Sequence, residues 1–217
     1  MLKVHQLVFN PFEENTYILA DTESGKAAVV DPGMLYEKER SAFDRYVTDN
    51  NLEITQIINT HLHLDHCFGI SHVKSHYGAK LAASSNDASL GDHVMEQAAN
   101  FGLSLPDELS KAVSIDIPLK DGDTISIGNN TLLVITVPGH SQGGIALYDA
   151  KDGFVVTGDS LFRGSIGRTD LPGGNHPQLV NSVRDKLLTL PPDTLVYPGH
   201  GPMSTVALEL STNPFVR

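Results

Sequence analysis

Residues 60–66 of this chain read Thr-His-Leu-His-Leu-Asp-His, so three histidines and an aspartate stand within six positions. The residues directly before them are rich in β-branched side chains, which predicts a buried strand leading into the cluster. Because His61, His63 and Asp65 are spaced two apart, an extended backbone at the end of that strand would point their side chains to one side. His66 follows where the chain must turn. Imidazoles and a carboxylate grouped in this way predict a metal site.

Three later positions add a ligand type next to a glycine. His140 and His200 each stand in Pro-Gly-His, Asp159 stands in Thr-Gly-Asp, and each follows a predicted strand. The glycine lets the backbone pass close to an ion. The candidate metal ligands are His61, His63, Asp65, His66, His140, Asp159 and His200. One tetrahedral zinc cannot use seven ligands, so we predict two divalent ions that share a carboxylate and a water or hydroxide. Zinc is the first expectation, and iron and manganese also suit these ligands.

Hydrophobic periodicity divides the chain into strands and helices. Strands are predicted over residues 2–9, 15–20, 26–30, 54–59, 79–83, 115–119, 124–127, 131–137, 145–148, 154–157 and 194–197. Helices are predicted over residues 34–50, 67–77, 86–100, 177–188 and 203–210, and residues 158–175 are expected to be a long glycine-rich loop. A β-rich segment followed by alternating helices and strands occurs in both halves. We therefore predict one domain over residues 1–217, built from two structural halves.

The composition restricts the partners and the compartment. The chain has 26 acidic residues against 15 lysines and arginines, a net charge of −11. Phosphate recognition needs basic patches, so neither nucleic acid nor an anionic membrane is expected as a partner. The single cysteine excludes an internal disulfide framework, and no secretory signal or membrane-spanning pattern is seen, which favours a cytoplasmic protein. The oligomeric state stays open.

The four motifs, in this order and spread over nearly the whole chain, resemble the metallo-β-lactamase superfamily. The resemblance implies an α/β fold, a four-layer αβ/βα sandwich of two mixed sheets flanked by helices, with the metals at one edge between the sheets. It assigns His61, His63 and His140 to a first metal site. It assigns Asp65, His66 and His200 to a second metal site, and it makes Asp159 the bridge between the two. Asp31, in Val-Val-Asp-Pro-Gly, matches a position that supports a metal-bound histidine. Turn capping is its alternative role.

Within the superfamily the chain is similar to the glyoxalase II branch (hydroxyacylglutathione hydrolases), in particular to its short bacterial single-domain forms. The similarity rests on Glu-Asn-Thr-Tyr at residues 14–17, on Gly-Asp-Ser-Leu-Phe-Arg-Gly at residues 158–164, and on the ending Thr-Asn-Pro-Phe-Val-Arg. It implies metal-dependent hydrolysis of S-lactoylglutathione or a similar small-molecule thioester. The long enzymes of this branch continue into a helical tail that holds the glutathione carboxylates, whereas this sequence stops there, so the thiol carrier is open.

The chemistry expected for such an enzyme gives several residues a role. Metal ions lower the pKa of bound water to about 7 and stabilise the oxyanion that forms on attack. A thiolate leaves without acid help because the pKa of a thiol is only about 8.5. Asp65 would pass on the proton of the attacking water, and Asp159 would bridge the ions. Arg163 and Arg168 are candidate anchors for a carboxylate or a thiol carrier, since the guanidinium fork matches a carboxylate; a solvated loop charge is the alternative.

Two other functions are compatible with the motifs. Gly-Arg-Thr-Asp at residues 167–170 resembles the persulfide dioxygenase branch, which uses a single iron held by the equivalents of His61, His140 and Asp159. The chain would then be an oxidoreductase. The third alternative is a non-enzymatic protein that binds a metal or a thiol carrier, although binding alone does not need an open dinuclear centre.

Overall fold

A computed structural model describes residues 1–106, 109 and 111–216. Its two largest sheets are mixed and pack face to face, and helices cover the outer face of each. The predicted four-layer αβ/βα sandwich is therefore confirmed. In the described part of the chain, no helix has both the length and the apolar character needed to cross a bilayer.

The first sheet has six strands whose spatial order follows the chain order. They are β1 (Leu2–Phe9), β2 (Glu14–Asp21), β3 (Lys26–Val30), β4 (Glu53–Ile58), β5 (Lys80–Ser84) and β6 (Ile117–Leu119). The strands β1 to β3 are antiparallel, and β3 to β6 run parallel. Parallel neighbours need a crossover, and helices α1 (Glu37–Asp49) and α2 (Ile70–Tyr77) occupy the first two crossovers.

The second sheet has the order β14-β13-β10-β9-β8-β7. Its strands are β7 (Thr124–Ile127), β8 (Asn130–Thr136), β9 (Ile145–Asp149), β10 (Phe154–Gly158), β13 (Leu195–Pro198) and β14 (Ser204–Thr205). A small hairpin of β11 (Leu161–Phe162) and β12 (Ser165–Ile166) follows β10. Helix α5 (His176–Ser182), continued by a π-helical turn over Val183–Leu187, connects it to β13, and α6 (Val206–Thr212) follows β14.

Neighbouring residues of the central strands point into different layers, because side chains alternate across a strand. Val30 and Ile58 belong to the cluster between the two sheets, whereas the adjacent Val29 and Ile57 pack with the residues of α1 and α2. Both faces of these strands are buried, which explains why their sequences are nearly continuous apolar runs. The candidate metal ligands follow the ends of β4, β8, β10 and β13.

Several predicted boundaries are wrong. The helix predicted over residues 86–100 is broken into a 3₁₀ turn, α3 (Ala88–Asp92) and α4 (Val94–Asn100). In α3, Gly91 packs so closely on the backbone of Val113 that a Cβ would lie 2.9 Å from its carbonyl oxygen. The other helices predicted over residues 34–50 and 67–77 begin three residues later than expected, and the helix predicted over 203–210 begins at Val206. The loop predicted over 158–175 contains the hairpin β11–β12, which periodicity cannot detect in two-residue strands.

The hairpin β11–β12 is tied to α6 by a buried carboxylate. Glu209 accepts hydrogen bonds from the Gly164 amide at 2.8 Å and from the Asn213 side chain at 2.8 Å, and Ser204 donates to its other oxygen. All of these donors would lose a partner if the carboxylate were removed, and an unsatisfied buried donor is costly.

We therefore predict that Glu209→Ala lowers the free energy of unfolding by about 2–4 kcal/mol. Urea denaturation of the purified protein measures this change. The matched control is Leu210→Ala, since Leu210 lies on the same helix with 48% of its side chain exposed; its effect should stay within about 0.5 kcal/mol. Equal losses in the two variants would contradict the role of the carboxylate.

Candidate metal centre

All seven candidate ligands lie at one edge of the sandwich, where the carboxyl ends of strands from both sheets meet. The first group is His61, His63 and His140, whose ring nitrogens all lie within 4.8 Å of one another. The Nδ1 atom of His63 is 2.8 Å from the Nε2 atom of His140. All three side chains are buried. Three imidazoles that point at one small volume in this way could hold one divalent ion.

The second group is Asp65, His66 and His200, whose ligand atoms likewise lie within 4.8 Å of one another. Asp65 Oδ2 is 3.3 Å from His200 Nε2 and 3.6 Å from His66 Nε2. The expectation that an extended backbone points Asp65 to the same side as the first two histidines is wrong. The strand β4 ends at Ile58, and Asp65 lies in a 3₁₀ turn over Leu64–His66. That turn directs it to the second group.

Asp159 lies between the two groups. Its Oδ2 is 3.5 Å from His140 Nε2 and 3.6 Å from His200 Nε2, and its Oδ1 is 3.5 Å from His66 Nε2. Gly199 makes this approach sterically feasible, because a Cβ at that position would collide with the Asp159 carboxylate. One carboxylate thus reaches histidines of both groups, which is the arrangement a bridging ligand requires.

The site contains buried polar atoms with no hydrogen-bond partner among the described residues. They are the Nε2 atoms of His61, His63 and His66 and the Oδ1 atom of Asp159. A buried polar atom without a partner costs about 1–3 kcal/mol, and the cost is removed when the atom coordinates a metal. Imidazole nitrogens and carboxylate oxygens suit zinc, iron and manganese. The residues present therefore fit divalent metal ions.

A relay of hydrogen bonds behind the site orients two of the histidines. His66 Nδ1 is 3.1 Å from Asp31 Oδ2, and the Thr60 hydroxyl donates to the same oxygen at 2.6 Å. The Thr60 hydroxyl is also 3.1 Å from His61 Nδ1. Since its own proton goes to Asp31, it accepts the proton of His61. Asp31 also accepts the Thr60 amide at 2.7 Å. The Asp31 carboxylate therefore holds the backbone and the side chains of the loop that begins at Thr60. In this arrangement both His61 and His66 turn Nε2 towards the site.

Two other histidines are oriented by backbone carbonyl groups. His140 Nδ1 donates to the carbonyl of Arg168 at 2.7 Å, and His200 Nδ1 donates to the carbonyl of Phe12 at 3.0 Å. Both bonds use Nδ1, so the Nε2 atom of each ring faces the other candidate ligands and is the nitrogen through which the ring could bind a metal. Every residue has such a carbonyl group, so no signal in the sequence could have identified these partners.

The electrostatic environment differs among the histidines of the site. Burial holds the pKa of His61 well below its usual value and lowers the pKa of His63 to about 3, so both rings are neutral. Burial opposes the charge on His66 as well, but Asp65 and Asp159 outweigh it and raise its pKa well above the usual value. Burial would raise the pKa of Asp159, yet the neighbouring imidazoles, His66 first, hold it well below the usual value. The field of these carboxylates therefore attracts positive charge.

Asp87 is a residue of the site that the sequence analysis missed. It is buried, and its Oδ2 accepts the Leu62 amide at 3.2 Å and the Ser141 hydroxyl at 2.8 Å, while its Oδ1 accepts the Gly143 amide at 2.5 Å. One carboxylate thus joins the backbone between the first two histidines to the loop after His140. In the sequence, Asp87 stands at the start of a predicted helix, where an aspartate is usually a cap.

Two amide side chains also clamp the loop over residues 62–65. Gln97 on α4 accepts the Leu64 amide at 3.0 Å and donates to the carbonyls of Leu62 at 3.3 Å and Leu90 at 2.8 Å. Asn10 donates to the carbonyl of Asp65 at 3.0 Å. Side-chain amides are so common in helices and turns that neither position stood out in the sequence.

Of the two arginines predicted as anchors, Arg168 lines the cavity at the candidate ligands and Arg163 does not. The guanidinium group of Arg168 is exposed and forms a two-pronged ion pair with Asp170, with both N–O distances 2.8 Å. Arg168 lines a cavity of 280 Å³ that opens onto the candidate ligands, together with Phe12, Phe101, Phe162 and Leu171. Arg163 is exposed and is not among the residues that line this cavity.

Comparison with known proteins agrees with this geometry. Residues 9–200 match the family described as the Metallo-beta-lactamase superfamily. The chain belongs to the metallo-beta-lactamase superfamily. Members of this superfamily are generally hydrolytic metalloenzymes, and the donor atoms of the site fit that chemistry.

Similar proteins within the superfamily carry different names. Hydroxyacylglutathione hydrolase GloC of Haemophilus influenzae is 32% identical over 211 residues, which cover 94% of this chain and 93% of that protein. The crystal structure of BLEG-1, a B3 metallo-beta-lactamase, superposes with a TM-score of 0.89 at 30% identity and covers 99% of both chains. TTHA1623 in a di-iron-bound form superposes with a TM-score of 0.85 at 34% identity, covering 97% of this chain and 99% of that one.

The position of Asp87 gives a prediction about metal retention. Asp87→Asn replaces one acceptor oxygen by an amine that cannot accept the amide protons it faces, so the two ligand loops should lose their common anchor. We expect the affinity for the added metal to fall about 10- to 100-fold. Elemental analysis after dialysis against a graded series of metal buffers measures this affinity.

Asp92→Asn is the matched control for this experiment. Asp92 is exposed on α3, five residues from Asp87, and the same change of charge there should leave metal retention as in the wild-type protein. Retention in Asp87→Asn that equals the control would overturn the assignment of Asp87.

Proposed function

We propose that this chain is a hydrolase that uses two divalent metal ions to cleave a thioester. The observation that carries the proposal is the position of Asp159, whose two oxygens lie 3.5–3.6 Å from histidine nitrogens of both ligand groups. A carboxylate placed in this way suits a pair of ions better than a single ion. The similarity to GloC supports a thioester as the substrate.

In this proposal each ion has three protein ligands besides the bridging carboxylate. The ligands are His61, His63 and His140 at the first ion, Asp65, His66 and His200 at the second, and Asp159 at both. Zinc is the first expectation, and iron is supported by the di-iron form of TTHA1623. Asp31 would keep His61 and His66 in the correct tautomer through the relay that includes Thr60.

Two divalent ions, when bound, make a water molecule nucleophilic at neutral pH and stabilise negative charge on the carbonyl oxygen. Asp65 is positioned to take up the proton of that water at Oδ2, which faces the second ligand group. Asp159 and the histidines hold their donor atoms in place before substrate arrives, so little reorganisation is needed during the reaction.

The leaving group is the feature that favours a thioester. The acids that line the cavity at the ligands are Asp65 and Asp159, and both are proposed ligands. No described residue of this cavity is thus a spare acid that could protonate a departing group. A thiolate needs no such help because the pKa of a thiol is only about 8.5, whereas an amine or alkoxide leaves much less readily without a proton.

The partners and setting in this proposal are simple. The substrate is a small S-acyl thiol, such as S-lactoylglutathione, that enters the cavity beside Arg168. The net charge of −11 supports a small-molecule partner and argues against nucleic acid. A cytoplasmic setting stays a prediction.

A persulfide dioxygenase is the second candidate. The bond from His140 to the carbonyl of Arg168 lies in the Gly-Arg-Thr-Asp segment that resembles that branch. Its single iron would leave Asp65, His66 and His200 without a metal, although the ligand atoms of these three residues also lie within 4.8 Å of one another. The convergence favours two ions and hydrolysis.

Metal content and a thioesterase assay test the proposal together. The purified protein should hold close to two ions per chain and hydrolyse S-lactoylglutathione or a simpler S-acyl thiol without consuming oxygen. One iron per chain with oxygen uptake on a glutathione persulfide would establish the dioxygenase. If the protein hydrolysed a β-lactam but no thioester, its activity would be amide cleavage. If it hydrolysed nothing with both ions bound, it would be a binding protein rather than an enzyme.

Single substitutions test the proposed ligands. His63→Ala and Asp159→Ala should each lower kcat/KM for the thioester by at least about a hundredfold, since each removes a ligand that positions an ion. The matched control is His72→Ala, because His72 lies on α2 and pairs with Asp44 at 2.9 Å, away from the site. Near-normal activity in either ligand variant would contradict the scheme.

A further inference from the structure

A second cavity of 280 Å³ lies beside the cavity at the ligands. The two share His63, Gln97, Phe101 and Leu171 in their walls, so they are direct neighbours. The second cavity is therefore close enough to the candidate ligands to receive one arm of a substrate whose carbonyl carbon lies at the metal centre.

The second cavity has a mainly apolar wall. Leu90 comes from α3, Phe101 follows α4, and Leu171 and Pro172 come from the loop before α5. We call the space between these four side chains the apolar crevice. Phe101 is 40% exposed, and its ring packs edge-on against Phe12 with centroids 5.2 Å apart. Phe12 lines the cavity at the ligands, so an aromatic pair connects the crevice to the reaction centre.

The rest of the cavity wall is polar but contains no lysine or arginine among the described residues, and its other polar residues include Ser89, His93 and Asn100. The Nδ1 atom of His93 is bonded to the carbonyl of Ser89 at 2.6 Å. Both polar atoms of the Gln97 side chain are bonded to backbone groups of residues 62, 64 and 90. Glu96 contributes a further negative charge to the wall. Among the described residues that line either cavity, Arg168 is the one lysine or arginine, and its guanidinium is already held by Asp170 at two points.

We infer that the crevice binds a bulky, apolar and uncharged group on one arm of the thioester substrate. This inference rests on the proposed function and narrows its substrate class. A glutathione thioester carries two carboxylates and one ammonium group, and Arg168, already paired with Asp170, is the one lysine or arginine among the described lining residues that could bind a carboxylate. An aromatic or branched aliphatic group would instead bury its surface against Leu90, Phe101 and Pro172. Such burial is the usual source of affinity in small-molecule sites.

The test measures how fast the metal-loaded wild-type protein hydrolyses two series of neutral thioesters and S-lactoylglutathione. One series varies the acyl arm, from acetyl to phenylacetyl, on the neutral thiol N-acetylcysteamine. The other keeps the acetyl group and varies the thiol, from N-acetylcysteamine to benzyl mercaptan. We expect kcat/KM to rise about tenfold or more along one series, because a buried aromatic ring contributes binding energy of that order. The series that responds identifies the arm, and S-lactoylglutathione should be the poorer substrate.

A charge placed in the crevice should remove this preference. Phe101→Glu should lower kcat/KM for the favoured aromatic thioester about tenfold, back to that of the acetyl compound. Met95→Glu is the matched control, because Met95 lies on α4 with 48% of its side chain exposed and lines neither cavity. The stable thioether S-benzyl-N-acetylcysteamine, titrated calorimetrically, provides a readout that is independent of turnover.

The outcomes separate the two proposals. Equal kcat/KM along both series, or the same response in Phe101→Glu and Met95→Glu, would overturn the crevice while thioester hydrolysis itself still stands. Binding of the thioether that Phe101→Glu weakens, without turnover of any thioester, would keep the apolar site and overturn the proposed function. A preference for S-lactoylglutathione over every neutral thioester would overturn the inference directly.

Discussion

The site depends on hydrogen bonds that point away from it. Four histidines have their Nδ1 atoms bonded outwards: His61 to Thr60, His66 to Asp31, His140 to the carbonyl of Arg168 and His200 to the carbonyl of Phe12. Each bond fixes the tautomer and turns Nε2 towards the same small volume. Without these bonds the rings could rotate and satisfy Nε2 elsewhere. The geometry of the site therefore depends on these Nδ1 hydrogen bonds as well as on the candidate ligands themselves.

A second constraint is charge. Glu14, Asp31 and His66 are each no more than 1% exposed, and the carboxyl groups of Asp65 and Asp159 face the same centre. Burial raises the pKa of Glu14 well above its usual value, which reflects how unfavourable an additional negative charge is there. Buried charges of one sign are tolerated only when opposite charge balances them. Divalent cations bound to these residues would provide that balance.

The loops that carry the ligands are linked by residues outside the ligand set. Asp87 joins the backbone of Leu62 to Gly143, Gln97 holds Leu64, and Glu209 fastens the hairpin that follows Asp159. These side chains come from elements that the sheets bring next to the motifs. Gln97 and the crevice residue Phe101 lie on and directly after α4, so one helix both holds a ligand loop and shapes the space in which a substrate would lie.

The layered fold predicted from the sequence is confirmed, and the seven candidate ligands lie together at one edge of it. The sequence predicted local geometry less well. Asp65 was expected to follow the strand alternation, but the chain has already turned at Leu64–His66. The helix expected over residues 86–100 is interrupted at His93, between α3 and α4. Both differences lie in the local path of the backbone, which residue periodicity does not contain.

The sequence alone thus determined which side chains are of a type that can bind metal and that they follow apolar strands, since both properties belong to residue types and their spacing. Only the tertiary structure decided the distances that join the two ligand groups to Asp159, and which backbone carbonyls orient His140 and His200. The physical reason is that these relations join residues far apart in the chain, and a backbone carbonyl has the same chemistry at every position. The apolar crevice likewise exists only because α3, α4 and the loop before α5 meet.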